Sequence, residues 1–387
     1  MKFNGNIFGY YLNKDNITFY IEDEKCTEII GNYDVYISGS FNGWMTSADA
    51  AWKLDKKNIK GKRCHLFEKN LNSVIVPGNS GFPEFNFFIL TENGVRYLKP
   101  DFEWDNRFGF NSVIVLDDDE YKELKVIDKS KTGIKSFNYY DLNCPACRAD
   151  FSNIRIVPGT KNLFRGYHPY KKSEPDFSGE EQRFALVEKT FELYSINSVV
   201  TLSSYELPSE FSNEVMPDYI KKIENERNLL ALNLNYTLVY YHSDSAEFCN
   251  NLQKICRFIL KHPGEYYVHS RQGSDSTGVV SAVIAALCGA KWAEICEDFE
   301  RTDLAGFGNY RSKKLLRYSI KKMIGFDPEY AKDLSHLMQS YFIKEDILSA
   351  DEISQLVTKL NVLSKRKERD YFNFEKNHIC AKRSAKI

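Results

Sequence analysis

The residues most suited to chemistry lie in the stretch YYVHSRQGSDSTGVV, where glycines and hydroxyl side chains separate two apolar runs. The run Tyr266–Val268 predicts a buried strand that ends at His269, and the run that begins at Thr277 predicts a helix. A loop of this kind directs several backbone N–H groups at one point, and the positive end of the helix lies behind them. The sequence therefore predicts a loop that binds a phosphate-like dianion through its backbone.

Five positions of this loop resemble the signature of the cysteine-based protein tyrosine and dual-specificity phosphatases, namely His269, Gly273, Asp275, Thr277 and Gly278. The family signature is His-Cys, two residues, Gly, two residues, Arg, then Ser or Thr and Gly. The ending is most similar to a bacterial branch that includes lipid- and phytate-directed members. Flanking stretches extend the resemblance over about residues 150–360, and these are VPGTKNLFRGYHPY, LYSINSVVTLSS, WAEICEDFERTDLAGFGNYR and ADEISQLVTKL. The resemblance implies a tyrosine-phosphatase-like α/β fold and a phosphorylated small molecule or phosphoprotein as ligand, with no cofactor and no metal.

Two positions depart from the signature, because Ser270 stands where the family has its nucleophilic Cys and Ser276 where it has Arg. Backbone dipoles lower a thiol pKa from about 8.5, but a serine hydroxyl starts far higher and requires a neighbouring base. Without the Arg, no bidentate guanidinium grips the phosphate oxygens or stabilises the transition state. We therefore expect a phosphatase-fold protein with impaired catalysis, a pseudophosphatase or inactivated variant, that binds a phosphorylated ligand. The alternative is an active phosphomonoesterase in its unmodified form, acting on protein, inositol-phosphate or glucan phosphate.

The resemblance also implies roles for single residues. Phosphate contacts are expected from Arg271, Gln272, Gly273, Ser274, Asp275 and Ser276. His269 and Thr277 are expected to support the loop, and the side chain of Arg271 is expected to point outward rather than replace the missing Arg. The family also uses an Asp about one helix upstream to protonate the leaving oxygen. Asp244 is the candidate because it follows a predicted strand and precedes a helix, although Ser243 and Asp244 also suit the N-cap of that helix.

The first part of the chain has the pattern of an all-β, immunoglobulin-like sandwich, with short aromatic and β-branched runs between regular turns from about residue 30 to 120. The runs are DVYISGS, RCHLFEKNL, FNFFILTENGVRYL and NSVIVLDDD, and Asn-Gly occurs in two turns that favour positive φ. The turn GSFNGW, the strand around Asn86 and the Asn111 before the last strand resemble the glycogen- and starch-binding modules of α-glucan branching enzymes and AMP-activated protein kinase β subunits.

That second resemblance implies that Trp44 stacks on the sugar rings of an α-glucan. Asn86 stands where the modules have a lysine, and Val95 or Tyr97 lies near the position of their second stacking Trp. A Trp in such a turn is also ordinary hairpin packing, so both interpretations stay open. An α-glucan-binding adaptor, in which the second half is only scaffold, is therefore the second alternative function.

From about residue 160, strand and helix patterns alternate, which is typical of an α/β domain with a mostly parallel sheet. EEQRFALVEKTFELYSI and SAEFCNNLQKICRFILKH predict helices, whereas NSVVTLSS, YTLVYYHS and EYYVHS predict strands. After Gly289 the pattern is helical, with DPEYAKDLSHLMQSYF and SADEISQLVTKLN. We expect four regions: a sandwich over 1–130, a linker over 131–160, a phosphatase-like domain over 161–365 and a basic tail over 366–387.

The 387 residues have the composition of a globular protein, with 43% hydrophobic residues, 27% charged residues and a net charge of -1. This balance does not favour nucleic acid or membrane partners, and no stretch reaches the roughly 20 apolar residues of a membrane span. The N-terminus lacks the apolar run of a secretory signal and the nine cysteines are scattered, so we expect reduced thiols and a cytoplasmic location. Cys144 and Cys147 have metal-site spacing, but they have no second ligand pair and are expected to be structural.

Overall fold

The computed structural model describes residues 8–28, 30–173, 177–203 and 216–362. Its contacts divide the chain into two compact units. The first unit comprises Met1–Gly133 and Tyr310–Leu315, and the second comprises Ile134–Asn309 and Leu316–Ile387. The predicted basic tail lies outside the described residues. Among those described, no helix has both the length and the apolar character that crossing a bilayer would require.

Two antiparallel sheets form the first unit. Its strands are β1 (Tyr10–Asn13), β2 (Asn16–Glu22), β3 (Val35–Gly39), β4 (Asp55–Ile59), β5 (Lys62–Asn70), β6 (Glu84–Thr91), β7 (Gly94–Tyr97), β8 (Arg107–Phe108) and β9 (Asn111–Val113). One sheet has the order β1-β2-β5-β4, and the other has the order β3-β6-β9-β8 with β7 paired to β6. Helix α1 (Asp118–Lys131) follows the last strand.

The core of the first unit lies between these sheets, because alternate side chains of a strand point to one face. Phe19 of β2, Ile37 of β3 and Phe87 of β6 are members of one buried cluster. The Asn-Gly turns behave as expected, since Gly43 and Gly94 have φ of 64° and 101°. The predicted β-sandwich is confirmed.

The second unit is built on a five-stranded mixed sheet. Its strands are β10 (Arg155–Ile156), β11 (Leu163–Gly166), β12 (Ser198–Thr201), β13 (Leu229–Ala231) and β14 (Tyr266–His269), in the order β10-β11-β14-β12-β13. β10 is antiparallel to β11, and the other pairs are parallel. The predicted strand EYYVHS is therefore the central strand, and the carboxyl ends of four parallel strands meet at one edge.

Helices cover the sheet and continue beyond it, which confirms the predicted α/β domain with a helical C-terminal region. They are α2 (Pro145–Phe151), α3 (Glu180–Tyr194), α4 (Asp218–Asn225), α5 (Tyr236–Tyr241), α6 (Ala246–Lys261), α7 (Asp275–Leu287), α8 (Trp292–Arg301), α9 (Lys313–Ile324), α10 (Leu334–Lys344) and α11 (Ala350–Leu360). Helix α7 is enclosed, because every residue from Ser276 to Leu287 is buried.

The prediction of a strand at YTLVYYHS is wrong, because residues Tyr236–Tyr241 form helix α5. Its aromatic and β-branched composition favours a strand, but an N-cap hydrogen bond favours a helix here. The Asn235 side chain accepts a hydrogen bond from the N–H of Leu238 at 2.8 Å, which begins a helix at this point.

Two helix starts also differ from their predicted positions. The N-cap of α6 is Ser245, whose hydroxyl accepts from the N–H of Phe248 at 3.3 Å, and not Ser243 or Asp244. Ser243 instead donates its hydroxyl proton to the carbonyl of Ser319. Helix α7 begins at Asp275, two residues before Thr277. The helical turn therefore starts inside the predicted loop.

Candidate functional site

The candidate site is the loop 270–274, which joins the central strand β14 to helix α7. Gly273 is the residue that permits its shape, since its φ is +74° and a Cβ there would lie 2.2 Å from the carbonyl oxygen of Gly166. Residues with side chains rarely adopt this φ, and the backbone of β11 leaves no room. The glycine of the predicted signature is thus required both by conformation and by close packing.

Three consecutive carbonyl groups of the loop are turned towards the surrounding scaffold. The Arg271 carbonyl accepts from the N–H of His168 at 3.3 Å and from the Ser173 hydroxyl at 3.2 Å. The Gln272 carbonyl accepts from the Asn153 amide at 2.8 Å. In a trans peptide the N–H points opposite to the C=O, so the N–H groups that follow these carbonyls point away from the scaffold. Backbone N–H groups with this orientation are a feature of anion-binding loops.

The carbonyl of Gly273 is held by Arg165, a fully buried residue of β11, through a hydrogen bond of 2.7 Å from Nη2. Nη1 of Arg165 contacts the Asp298 carboxylate at 2.5 Å, and Nε of Arg155 contacts the same carboxylate at 2.6 Å. Burial opposes ionisation of Asp298, but the two guanidinium groups outweigh it and lower the pKa of the carboxyl. Two cations therefore share one anion, which leaves one excess positive charge against the loop.

The positive end of α7 faces the same loop. Ser274 is the N-cap residue, and its side chain makes no capping hydrogen bond. The carboxylate of Asp275 accepts from the hydroxyl of Tyr240 at 3.0 Å, so this acidic side chain is held by α5. The helix start adds partial positive charge to the site, and the carboxylate of Asp275 in the first turn partly offsets it.

Ser270 and Thr277 are hydrogen-bonded to each other within this site. The Thr277 hydroxyl donates to Ser270 Oγ at 2.9 Å, and both residues are buried. Next to them, burial lowers the pKa of His269 to about 3. A neutral imidazole of such low basicity is a poor acceptor for a serine proton. Thr277 contacts the predicted nucleophile position, whereas His269 lacks the basicity to activate it.

Three predicted phosphate-binding residues, Arg271, Gln272 and Ser276, do not provide a guanidinium in place of the family Arg. Ser276 donates its hydroxyl proton to the carbonyl of Leu234 at 2.6 Å. Gln272 is buried, and its Oε1 accepts from the Asn309 amide at 2.7 Å. The side chain of Arg271 is exposed to solvent. Arg165, which sequence reasoning missed, and the positive end of α7, which it expected, both contribute positive charge near the loop.

Asp244, the candidate acid, lies between α5 and α6. Its carboxylate is 48% exposed and forms an ion pair with Lys322 of α9 at 3.1 Å. The premise that it follows a strand is wrong, because α5 is a helix. Its role as general acid stays a prediction.

The other predicted residues lie at some distance in sequence from the loop. In the first unit, Trp44 is half-buried and has a φ of 61°, which is unusual for a residue with a side chain. Asn86 contacts Asn111 in the neighbouring strand at 2.6 Å. In the second unit, Cys144 is the N-cap residue of α2, and both it and Cys147 are reduced. Among the described residues, no group of three or more His, Cys, Asp or Glu side chains is arranged to hold a metal ion.

Comparison with known proteins gives one family. Residues 195–360 match the family model described as the tyrosine phosphatase family, and this range contains the loop and helices α5 to α11. The match confirms the phosphatase resemblance over residues 195–360, whereas residues 150–194, with the stretch VPGTKNLFRGYHPY, lie outside it. No curated protein matches the chain.

Proposed function

From the premise that residues 195–360 form a tyrosine phosphatase family domain, we propose that it binds a phosphorylated ligand in the loop 270–276 without hydrolysing it. The ligand is a phosphorylated small molecule or a phosphoprotein. The observation that carries the proposal is the orientation of the loop backbone. Asn153, Arg165 and His168 donate hydrogen bonds to its carbonyls and hold them towards the scaffold. Such a backbone selects for a tetrahedral anion independently of the two substituted side chains.

Charge supports binding. The shared Asp298 leaves one excess positive charge on the Arg155 and Arg165 pair, and the uncapped start of α7 adds to it. Neither guanidinium replaces the bidentate contact of the family Arg, because Arg165 already donates to Gly273 and Asp298. We expect affinity lower by about 1–2 kcal/mol than with that Arg, which is about 5- to 30-fold.

The chemistry at position 270 supports a loss of hydrolysis. Ser270 Oγ accepts a hydrogen bond from Thr277, and the neutral His269 is too weak a base to take its proton. A hydroxyl without a base is a poor nucleophile, whereas a thiol in the same place would ionise readily. Two separate losses, of nucleophile and of clamp, act on the same step.

Calorimetry with inorganic phosphate, together with turnover of p-nitrophenyl phosphate, tests the proposal on the full chain. We expect measurable phosphate binding and no turnover above background. Absence of phosphate binding would refute the proposal. Turnover that is lost in Ser270→Ala would favour the alternative of a working phosphomonoesterase, for which the Thr277 hydrogen bond would stabilise a Ser270 alkoxide. Turnover that survives Ser270→Ala would show that the nucleophile is elsewhere.

Restoring the two family residues tests the geometry directly. We expect Ser270→Cys with Ser276→Arg to recover activity on aryl phosphates, and each change alone to recover far less, because both groups act on one transition state. In the active double variant, Asp244→Asn should lower the rate if Asp244 is the acid. An unchanged rate would place the acid on another residue. A folded double variant that binds phosphate but remains inactive would show that the loop geometry has drifted.

A further inference from the structure

A buried carboxyl group in the first unit is a second titratable site, separate from the loop 270–274. Glu84 is the first residue of strand β6, and its side chain is completely buried. Its Oε1 accepts from the N–H and from the hydroxyl of Ser80, at 2.6 and 2.7 Å. A Cβ on Gly78 would lie 2.6 Å from the carboxyl carbon, so the backbone of the preceding loop packs directly against this group. The carboxyl group therefore depends on protein partners rather than on water.

Within the described part of the chain, Glu84 forms no ion pair. Residues 39–41, loop 77–82 and strand β9 lie next to it, and none of them contains a charged residue. Arg311 acts on it electrostatically, but burial outweighs this charge and the hydrogen bonds, and it raises the pKa of Glu84. A buried carboxylate without a paired cation is costly, so these surroundings favour the protonated form.

Oε2 of Glu84 leads into a chain of two side-chain amides. It lies 2.8 Å from one end of the Asn111 amide, and the other end of that amide lies 2.6 Å from the amide of Asn86. The chain ends at the carbonyl oxygens of Phe110 and Phe85, which lie 3.1 and 3.2 Å from the far end of the Asn86 amide. The two ends of an amide have nearly the same shape, so the hydrogen-bond partners decide which end is oxygen and which is nitrogen.

One direction of this chain pairs each donor with an acceptor, and the other does not. If Glu84 is ionised, Asn111 donates to it and Asn86 donates to Asn111, which turns the Asn86 oxygen towards two carbonyl oxygens. If Glu84 is protonated, its Oε2 donates to the Asn111 oxygen, and Asn111 donates to the Asn86 oxygen. The Asn86 nitrogen then donates to the carbonyls of Phe110 and Phe85. The two carbonyls at the end of the chain thus favour a proton at its start.

We propose that folded Glu84 keeps a proton at a pH where an exposed glutamate has lost it, and that this proton makes the Glu84–Asn111–Asn86 chain a pH-sensitive switch. In the protonated state, Asn86 holds the turn between β8 and β9 through the Phe110 carbonyl. Release of the proton to solvent reverses both amides and places the Asn86 oxygen against that carbonyl, which weakens the turn. Phe110 is 95% exposed in this turn, so the switch controls the position of an exposed aromatic ring.

Glu84→Gln in the full chain tests the direction of the hydrogen bonds. A glutamine amide has the shape of the protonated acid, since its nitrogen can donate to Asn111 while its oxygen accepts from Ser80. Labelling with 5-fluorotryptophan gives a fluorine resonance at Trp52, which lies in the first unit. We expect the denaturant midpoint of this resonance at pH 6 to be the same in the variant and in the native protein.

Glu22→Gln is the matched control. Glu22 is also buried in the first unit, but Lys62 contacts its carboxylate at 2.8 Å and lowers its pKa. Because glutamine cannot replace an anion paired with a cation, we expect this variant to have a lower midpoint at pH 6.

The dependence of stability on pH gives a second test. The ordinary pKa of Glu84 is 4.5, and the folded value is higher. Above pH 4.5 the folded protein therefore holds a proton that the unfolded chain has released, so the free energy of unfolding falls as the pH rises towards the folded pKa. Glu84→Gln should lack this fall.

Carboxyl-13C glutamate reports the proton directly, with each resonance assigned by its loss in the corresponding Gln variant. At pH 6 we expect the Cδ of Glu84 to have the chemical shift of a carboxylic acid and the Cδ of Glu22 that of a carboxylate. Hydrogen exchange of residues 107–112, compared between the native protein and Glu84→Gln at the same pH, reports the turn. Exchange should be equal below the pH at which Glu84 titrates and faster in the native protein above it.

The proposal is overturned if Glu84 has the shift of a carboxylate at pH 6, or if Glu84→Gln lowers the midpoint as much as Glu22→Gln does. Equal exchange in the turn on both sides of the titration would also overturn it. So would a Glu84 that titrates only as the first unit unfolds, because the switch requires the folded protein to release the proton. None of these measurements depends on phosphate binding, so this inference and the proposed function are tested separately.

Discussion

The buried His269, which precedes the loop 270–274, predicts a specific loss of stability in acid. His269 has an ordinary pKa of 6.5, which burial lowers to about 3 in the folded protein. Between these two values the unfolded chain holds a proton on this ring and the folded protein does not. The unfolded state then binds more protons, so the free energy of unfolding falls as the pH falls below 6.5.

The size of this loss follows from the same two values. Each pH unit below 6.5 costs about 1.4 kcal/mol for one such proton, so at pH 5 the contribution is about 2 kcal/mol. We expect His269→Gln to remove this dependence, because the amide does not titrate in this range. His168 also has a pKa lowered by burial and, to a smaller extent, by His269, so the difference between the two proteins reports His269 together with its effect on His168.

Labelling with 5-fluorotryptophan makes the measurement specific to the second unit. The chain has four tryptophans, and Trp292 is the one whose position falls in that unit. Denaturant unfolding is followed by the Trp292 fluorine resonance at pH 7.5, 6.5, 5.5 and 5. It gives the slope of the free energy of unfolding against pH for the native protein and for His269→Gln. Equal slopes for the native protein and His269→Gln would refute the reasoning, as would a His269 ring resonance that titrates between pH 6 and 7.

Two further predictions concern the glycine of the loop and the turn of the sandwich. Gly273→Ala should destabilise the second unit by more than about 3 kcal/mol, because φ is +74° and the new Cβ would meet the Gly166 backbone. Gly289→Ala is the control, since its φ is +85° with nothing within 4 Å of the new Cβ, and we expect about 1–2 kcal/mol in denaturant unfolding. If the sandwich binds α-glucan, Trp44→Ala should abolish retention on amylopectin with little change in melting temperature. Equal retention by the variant, or none by the native protein, would remove the carbohydrate hypothesis.

The central strand and the helix after it were readable from sequence because their burial is nearly complete. Tyr266–Val268 form a continuous apolar run, and α7 is apolar on all sides, so neither depends on distant partners for its pattern. The loop between them was readable from its glycine and hydroxyl spacing. A local sequence pattern is sufficient to predict an element that is buried on all sides.

Helix α5 was not readable in this way. Its residues favour a strand by composition, and the hydrogen bond from Leu238 to the Asn235 side chain reverses that preference. The same error affected Asp244, because it was chosen as the candidate acid on the expectation that a strand precedes it. Side-chain capping is a single contact, and composition does not report it.

The support of the loop by Arg165 was not readable either. Arg165 and Asp298 are 133 positions apart, and only the fold brings them together. A charged residue in an otherwise apolar strand was the available signal, since such a residue must be paired when buried. The sequence shows the charged residue but does not show which residue pairs with it.

The complete enclosure of α7 has a consequence for the ligand binding that we propose for the loop. A helix with no solvent-facing side exchanges its amide protons by large-scale opening rather than by local fraying. The loop is attached to this helix, and its carbonyls are tied to Asn153 and Arg165, so little conformational entropy remains to be lost on binding. Deuterium uptake in α7 should therefore be slow with or without phosphate. Any added protection should be confined to the amides of the loop, as expected for a binding site that is already formed before the ligand binds.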